Sequence, residues 1–145
     1  MTTPRFAMLL DLARAPDSAK RRDLLREVTD LFFETSGARN ERESLLMDQV
    51  LQMVAAEMQD GVLQELSSKF ANAEDAPAGL MRDLANRAFE VAAPVLRNSR
   101  ALDDGALLQI VNYQSQDHIK AVAERKIVSE AVSDAIVRLG DDPAL

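Results

Sequence analysis

The sequence predicts an all-α protein, and three observations support this prediction. Apolar residues recur at helical spacing along nearly the whole chain, and turn-forming residues interrupt them about every ten to twenty residues. Hydrophobic residues make up 47 % of the chain but aromatic residues only 4 %, so Leu, Val, Ala, Ile and Met must build the core. Most of these residues favour helices, and clusters of β-branched residues are short.

The N-terminal part begins with two predicted helices. The first starts near Pro4 and ends before Pro16, because proline suits a first helical turn but cannot continue a helix. The second follows the capping residues Asp17 and Ser18 and ends at Gly37. Its core-facing positions are Leu24, Leu25, Val28, Leu31 and Phe32.

Asn40, with Glu43 three residues later, resembles a capping box and predicts the start of a third helix. This helix is so apolar that we expect it at the centre of the fold, with pairing to another chain as the alternative. Its main polar side consists of Asp48, Gln49, Gln52 and Gln59. Met47, Met53 and Met58 could form an adaptable binding groove, but their helical spacing favours a role in the core. We expect the second and third helices to pack as an antiparallel hairpin.

A fourth helix follows the interruption at Asp60-Gly61. Its apolar positions in phase are Val62, Leu63, Leu66 and Phe70. The stretch from Asn72 to Gly79 is rich in alanine, acidic and contains Pro77, which makes it the best internal boundary. It is too short for a flexible interdomain linker, so we interpret it as a loop.

The second half of the chain carries shorter helices. The first contains Leu80, Met81, Leu84 and Ala85. The second contains Pro94, which should kink the helix or mark its start. Asp103 with Asp104, then Ser115, then Ser129 are the predicted caps of the last three helices, and the final one ends at Gly140.

A weak internal repeat indicates how these helices are arranged. Residues 84–87 (Leu-Ala-Asn-Arg) are similar to residues 122–125 (Val-Ala-Glu-Arg), and residues 95–97 are similar to residues 136–138. Helix pairs at a period of about 40 residues are typical of an α-solenoid. We therefore expect one all-helical domain over residues 1–145, with a helical hairpin region at 1–75 packed on a HEAT-like array of helix pairs at 76–145. The last residues resemble the start of a further helix, so we expect a longer native array, with a frayed tail as the alternative.

Three blocks of the sequence resemble a known bacterial family. They are Asn40-Glu41-Arg42-Glu43 with the apolar positions that follow, residues 90–99 (Glu-Val-Ala-Ala-Pro-Val-Leu-Arg-Asn-Ser), and residues 115–125 with their continuation to Asp141. On these blocks the chain is similar to an alphaproteobacterial family of uncharacterised HEAT-like helical proteins, domain of unknown function 2336. The resemblance implies an all-helical HEAT-like fold and no established activity. The chain departs from the family at its C-terminus, where it stops while the family pattern continues.

Charge and cysteine content exclude several classes of function. The net charge of −7 repels phosphate backbones and disfavours nucleic-acid or anionic-membrane binding. The absence of cysteine removes disulfides, thiolate metal sites and cysteine nucleophiles. No apolar run approaches the roughly 20 residues of a membrane span, and Asp11 interrupts the short apolar stretch near the N-terminus. We expect a cytoplasmic protein.

His118, the sole histidine, is the first candidate site residue. A metal site would need further histidine or cysteine ligands at helical spacing, and the sequence places none there. A phosphorelay histidine is the sharper idea, but the usual following Lys and Gly are missing. We expect a first-turn histidine that is hydrogen-bonded to Ser115 or to a backbone carbonyl.

The sequence offers no catalytic set. A serine nucleophile would need a base beside it, and His118 is the sole possible base. The paired carboxylates Asp103-Asp104 and Asp141-Asp142 could serve acid–base chemistry, but they suit the positive ends of helices better. We therefore predict that the protein is not an enzyme and binds no metal and no cofactor.

The basic residues provide the other candidate interaction sites. Lys20, Arg21 and Arg22, with Arg26, form the strongest basic cluster, which we interpret as a solvated helix face, with nucleic-acid binding as the alternative. Arg87 and Arg125 hold matching positions in the weak repeat. An arginine there can bridge helix ends or line a binding surface, and we favour the structural role.

These observations predict a non-catalytic protein-interaction or scaffold module whose partner the sequence does not identify. The alternative is a regulatory small-molecule-binding domain with a pocket between the two halves. A nucleic-acid binder that uses Lys20, Arg21 and Arg22 is the third hypothesis. Homodimerisation is a further expectation, because a truncated array leaves an apolar end uncovered.

Overall fold

The computed structural model describes residues 18–140, and this part of the chain contains eight α-helices and no β-strand. The all-α prediction is confirmed for these residues. The helices are α1 (Ser18–Glu34), α2 (Glu41–Ala55), α3 (Asp60–Phe70), α4 (Ala78–Ala85), α5 (Phe89–Asn98), α6 (Asp104–Tyr113), α7 (Gln116–Ala123) and α8 (Glu130–Leu139). The helix predicted near Pro4, the cap Asp17 and the start predicted at residue 141 lie outside the described residues.

Side-chain caps fix where four of these helices begin. In the predicted capping box, Glu43 N–H donates to Asn40 Oδ1 over 2.8 Å and Asn40 N–H donates to Glu43 Oε1 over 3.2 Å. Three further caps accept from the amide three residues on, namely Asp103, Ser115 and Ser129. At the end of α1, Gly37 adopts a φ of 80°, which favours glycine. These predicted boundaries are confirmed.

The helices pack in two rows. In the first row α3 packs on α5 and α5 packs on α7; in the second row α2 packs on α4 and α6 packs on α8. Consecutive helices such as α4 and α5, or α6 and α7, contact each other across the rows. The predicted packing of α1 on α2 is also present.

One hydrophobic core runs through both rows, from Leu24 in α1 to Ile136 in α8. The core continues across the predicted boundary, because residues on both sides of the loop belong to the same cluster. The loop is shorter than predicted, since α4 already begins at Ala78 and includes Gly79. Pro94 lies inside α5 and does not mark its start.

Helix α2 is less central than its composition predicts. Met47 is fully buried, and Met58 packs against the core. Met53, however, is 41 % exposed and Leu45 is 59 % exposed, so the prediction that all three methionines fill the core is wrong for Met53. The reason is that α2 packs on α1 and on α4, which leaves a third face in solvent.

The weak sequence repeat does not correspond to the packing. It pairs the end of α4 with the end of α7 and the end of α5 with the end of α8, and these helices lie in different rows. The second row has its own spacing of 26 residues, which relates the N-caps Pro77, Asp103 and Ser129 and the buried positions Leu84, Ile110 and Ile136. The matching of Arg87 with Arg125 is therefore not a structural equivalence.

Candidate functional site

A groove separates α4 from α6 in the second row, where the two helices make little contact. Its volume is about 320 Å³, and α2, α4 and α6 line it. The apolar side of its lining is buried and consists of Ala85, Leu102, Ala106 and Ile110. The polar side consists of Gln52, Arg82, Asp83, Asn86 and Gln109. We call this feature the α4–α6 groove.

Asp48 holds the N-terminal end of α4, the first wall of the groove. Its Oδ2 accepts from Gly79 N–H and its Oδ1 from Leu80 N–H, each over 2.9 Å. Gln52 Nε2 also donates to Asp48 Oδ1 over 3.0 Å. The N-cap residue of α4, Pro77, offers no side-chain cap. The Asp48 carboxylate on α2 therefore provides the cap, and the positive N-terminal end of α4 stabilises its negative charge.

Gly79 makes this cap possible because of its size. A Cβ at this position would lie 2.3 Å from Gln52 Nε2 and 2.8 Å from Asp48 Oδ2. Both distances are shorter than van der Waals contact, so a larger residue must displace the Gln52 amide and the capping carboxylate, or the helix itself. The absence of a side chain at residue 79 thus sets how closely α4 approaches α2.

His118 holds the other end of α4. Its Nε2 lies 2.8 Å from the carbonyl oxygen of Arg87, and its Nδ1 lies 2.6 Å from Ser115 Oγ. A carbonyl can only accept, so Nε2 carries a proton and donates it to Arg87, while Nδ1 shares a second hydrogen bond with the Ser115 hydroxyl. The predicted bonding to Ser115 is confirmed, and a backbone carbonyl is bonded as well. His118 is only 4 % exposed, so its ring positions the end of α4 from the interior.

Arg87 meets His118 through its carbonyl group and not through its side chain. The Arg87 guanidinium lies at the surface, where Nη2 is 3.8 Å from Asp83 Oδ2. Next to it, Gln114 Nε2 donates to Asn86 Oδ1 over 2.9 Å and ties the end of α4 to the α6–α7 connection. The two ends of α4 are thus fixed independently.

Arg125 bridges helix ends, as we favoured from the sequence. Its Nη1 donates to the carbonyl of Leu96 over 2.6 Å and its Nη2 to the carbonyl of Ser99 over 2.5 Å, which closes the C-terminal end of α5. Burial lowers the pKa of the Arg125 guanidinium below its ordinary value.

Arg39 closes a helix end, which is the role that we predicted for Arg87 from the sequence repeat. At the end of α1, Arg39 Nη1 donates to the carbonyl of Phe32 over 2.5 Å and to Thr35 Oγ1 over 2.8 Å. Its guanidinium also lies 4.0 Å from the centre of the Phe32 ring. Nη2 contacts Asp75 Oδ2 at 2.8 Å. Sequence reasoning missed Arg39, although its position just after the helix-ending glycine is a usable signal.

The basic cluster of α1 is divided by the structure. Arg21 lies 3.7 Å from Glu57, whereas Arg22 and Arg26 line a small cavity together with Glu65. Lys20 is exposed. These side chains do not converge on one surface.

Within residues 18–140, no three His, Asp or Glu side chains are grouped so that they could hold a metal ion. None of the helices α1 to α8 combines the length and the apolar character needed to cross a bilayer.

Part of the chain resembles a known bacterial family. No curated protein and no solved structure matches the chain. Residues 91–145, from α5 onwards, match the model of a family described as an uncharacterised protein conserved in bacteria (DUF2336). The resemblance to this uncharacterised bacterial family that we inferred from the sequence is confirmed over residues 91–145.

Proposed function

We propose that the protein is a non-catalytic protein-interaction module and that a segment of its partner binds in the α4–α6 groove. The observation that carries the proposal is the groove itself, an open channel with a buried apolar side and a polar side. Recognition surfaces combine these features, because apolar contact supplies affinity and polar groups supply selectivity.

The proposal includes a HEAT-like α-solenoid arrangement. The packing of α2 on α4, α3 on α5, α5 on α7 and α6 on α8, each helix on the next but one along the chain, supports it. The 26-residue spacing of caps and buried positions in the second row supports it as well. In such an array, stacked helices present extended surfaces for partners.

Two polar groups on facing walls are free to bind a partner. The Arg82 guanidinium on α4 and the Gln109 amide on α6 form no hydrogen bond or ion pair with residues 18–140. By contrast, Gln52 is bonded to Asp48 and Asn86 to Gln114. We therefore expect a partner segment that places a carboxylate at Arg82 and an amide or hydroxyl group at Gln109.

Site-specific photo-crosslinking in the native cell tests this proposal. A crosslinking amino acid at position 109 should capture a partner, and Arg82→Glu should abolish that capture. The matched control places the same crosslinker at the exposed Lys120 on α7, outside the groove. Capture at neither position, or equal capture at both, would contradict the proposal.

A second candidate function uses the same groove. Gln52 comes from the first half of the chain and α4 and α6 from the second, which is where a regulatory small molecule was expected to bind. The volume of about 320 Å³ lies at the lower end of the range of ligand pockets. A thermal-shift screen of metabolites and nucleotides separates the two functions, since a stabilisation that Arg82→Glu removes would favour the ligand over a protein partner.

A further inference from the structure

A second cavity lies at the C-terminal ends of α5 and α7, away from the α4–α6 groove. Its volume is about 300 Å³. The lining residues are Asn72, Arg97, Asn98, Arg100, Arg125, Lys126 and Ile127. Four of these seven residues are cationic, although the chain as a whole carries a net charge of −7. We call this feature the basic cavity.

The carboxylates near the basic cavity do not balance its charge. Glu124 Oε2 lies 2.8 Å from Arg97 Nε, and Glu74 Oε1 lies 3.6 Å from Arg100 Nη1. The second pair is weak, because its two side chains are 86 % and 75 % exposed. Arg125 and Lys126 form no ion pair with any carboxylate among residues 18–140. The cavity therefore keeps an excess of positive charge.

Arg125 is the fixed point of the cavity. Both of its hydrogen bonds go to neutral carbonyls of the α5 end. A guanidinium has five N–H donors, so Arg125 retains donors for a further acceptor. Burial also opposes its positive charge, and an anion beside it would compensate this cost.

The end of α1 shows what the end of α5 lacks. Arg39 closes α1 as Arg125 closes α5, with a guanidinium bonded to carbonyls of the last turn. At α1 the protein supplies an anion, since Asp75 Oδ2 lies 2.8 Å from Arg39 Nη2. At α5 no carboxylate of the described chain takes that place, and Lys126 and Arg100 add further positive charge around it.

We propose that the basic cavity binds the phosphate group of a small phosphate monoester, held by Arg125, Lys126 and Arg100. A phosphate oxygen takes the place at Arg125 that Asp75 takes at Arg39. Two further observations fit a small molecule with a polar body. The cavity is larger than one phosphate group, and the exposed amides of Asn72 and Asn98 are at hand to bond hydroxyl groups.

Titration of the full chain with inorganic phosphate and with glycerol phosphate, followed by amide NMR, tests this site. We expect saturable shifts confined to the residues around Arg125 and Arg100, and tighter binding of the monoester. The variant Lys126→Gln with Arg100→Gln should weaken binding about tenfold, because it removes charged hydrogen bonds from the ligand. Neither residue supports a helix end, so this variant should fold.

The matched control is Lys20→Gln with Arg22→Gln, which removes the same charge from exposed positions of α1. It should leave phosphate binding unchanged. Equal weakening by both double variants would show a diffuse charge effect and overturn the site. Shifts spread over the whole surface, or no shift at low ionic strength, would overturn it as well. Equal affinity for inorganic phosphate and for the monoester would show that the asparagine amides do not bond the hydroxyl groups of the ligand, and would contradict that part of the proposal.

Discussion

An arginine closes the C-terminal end of α1 and another arginine closes that of α5, but the two lie in different electrostatic surroundings. Arg39 is almost fully buried, lies over an aromatic ring and has the carboxylate of Asp75 beside it. Arg125 is half-buried, bonds only to carbonyls and has cations as neighbours. The comparison teaches that one helix end is electrostatically complete within the chain, whereas the other is open to an external anion.

The largest effect should come from removing Arg39, the arginine whose charge is compensated within the chain. Arg39→Gln loses the ion pair, the carbonyl bond and the contact with the Phe32 ring. We expect the free energy of unfolding to fall by about 3 kcal/mol. Urea denaturation measures this as a lower midpoint at an unchanged m-value. The exposed Arg42 provides the control, and a loss for Arg42→Gln as large as that for Arg39→Gln would break the comparison.

Asp48 extends the comparison to a helix end of the opposite polarity. Asp48→Ala removes a carboxylate that accepts two amide protons at the start of α4. We expect a loss of about 2 kcal/mol, the upper range for a helix cap, since no other side chain caps α4. Thermal unfolding measures it, with Asp30→Ala on the exposed side of α1 as the control. A loss no greater than that of the control would mean that the cap is not needed.

Removing Arg125, the arginine without a carboxylate partner, should lower the free energy of unfolding by less. For Arg125→Gln we expect a loss of about 1.5 kcal/mol, because two carbonyl bonds are lost but a half-buried uncompensated charge is lost too. Phosphate should stabilise the wild type and not this variant, which thermal unfolding with and without phosphate measures. Lys120→Gln on α7, the helix before Arg125, should retain the response to phosphate. A loss larger than that of Arg39→Gln would reverse the comparison.

The smallest effect should come from removing the carboxylate that compensates the charge of Arg39 at the end of α1. Asp75→Asn removes the built-in carboxylate from Arg39, and its own side chain is 43 % exposed, so we expect a loss of about 1 kcal/mol. The variant should also gain a stabilisation by phosphate at Arg39 beyond the response of the wild type, and the Asp30→Asn control on the exposed side of α1 should not gain it. No acquired response would show that an uncompensated arginine at a helix end is insufficient for anion binding.

Local features of the fold could be predicted from the sequence because they depend on neighbours along the chain. The caps at Asn40, Ser115 and Ser129 each use a partner three residues away. The bond between Ser115 and His118 follows the same rule. The resemblance to the bacterial family could also be recognised over residues 91–145, since it is carried by continuous stretches of sequence.

The rest could not be predicted because the partners are distant in the sequence. Asp48 caps an amide 31 residues away and Arg39 meets a carboxylate 36 residues away. The basic cavity draws its residues from three separate segments. The 26-residue spacing was hidden as well, since Pro, Asp and Ser all serve as its caps and any apolar side chain fills its buried positions.

Gly79 influences the width of the α4–α6 groove through the packing of α4 on α2 and not through a contact with a bound molecule. Helix α4 stands between α2 and α6, and the missing methyl group at residue 79 lets it rest against α2. An added carbon would collide with the Gln52 amide and the Asp48 carboxylate. If the collision were relieved by movement of the helix, α4 would shift outward and the groove on its far side would narrow. The width of the groove could thus be altered from a glycine in its own wall, with every other lining residue unchanged.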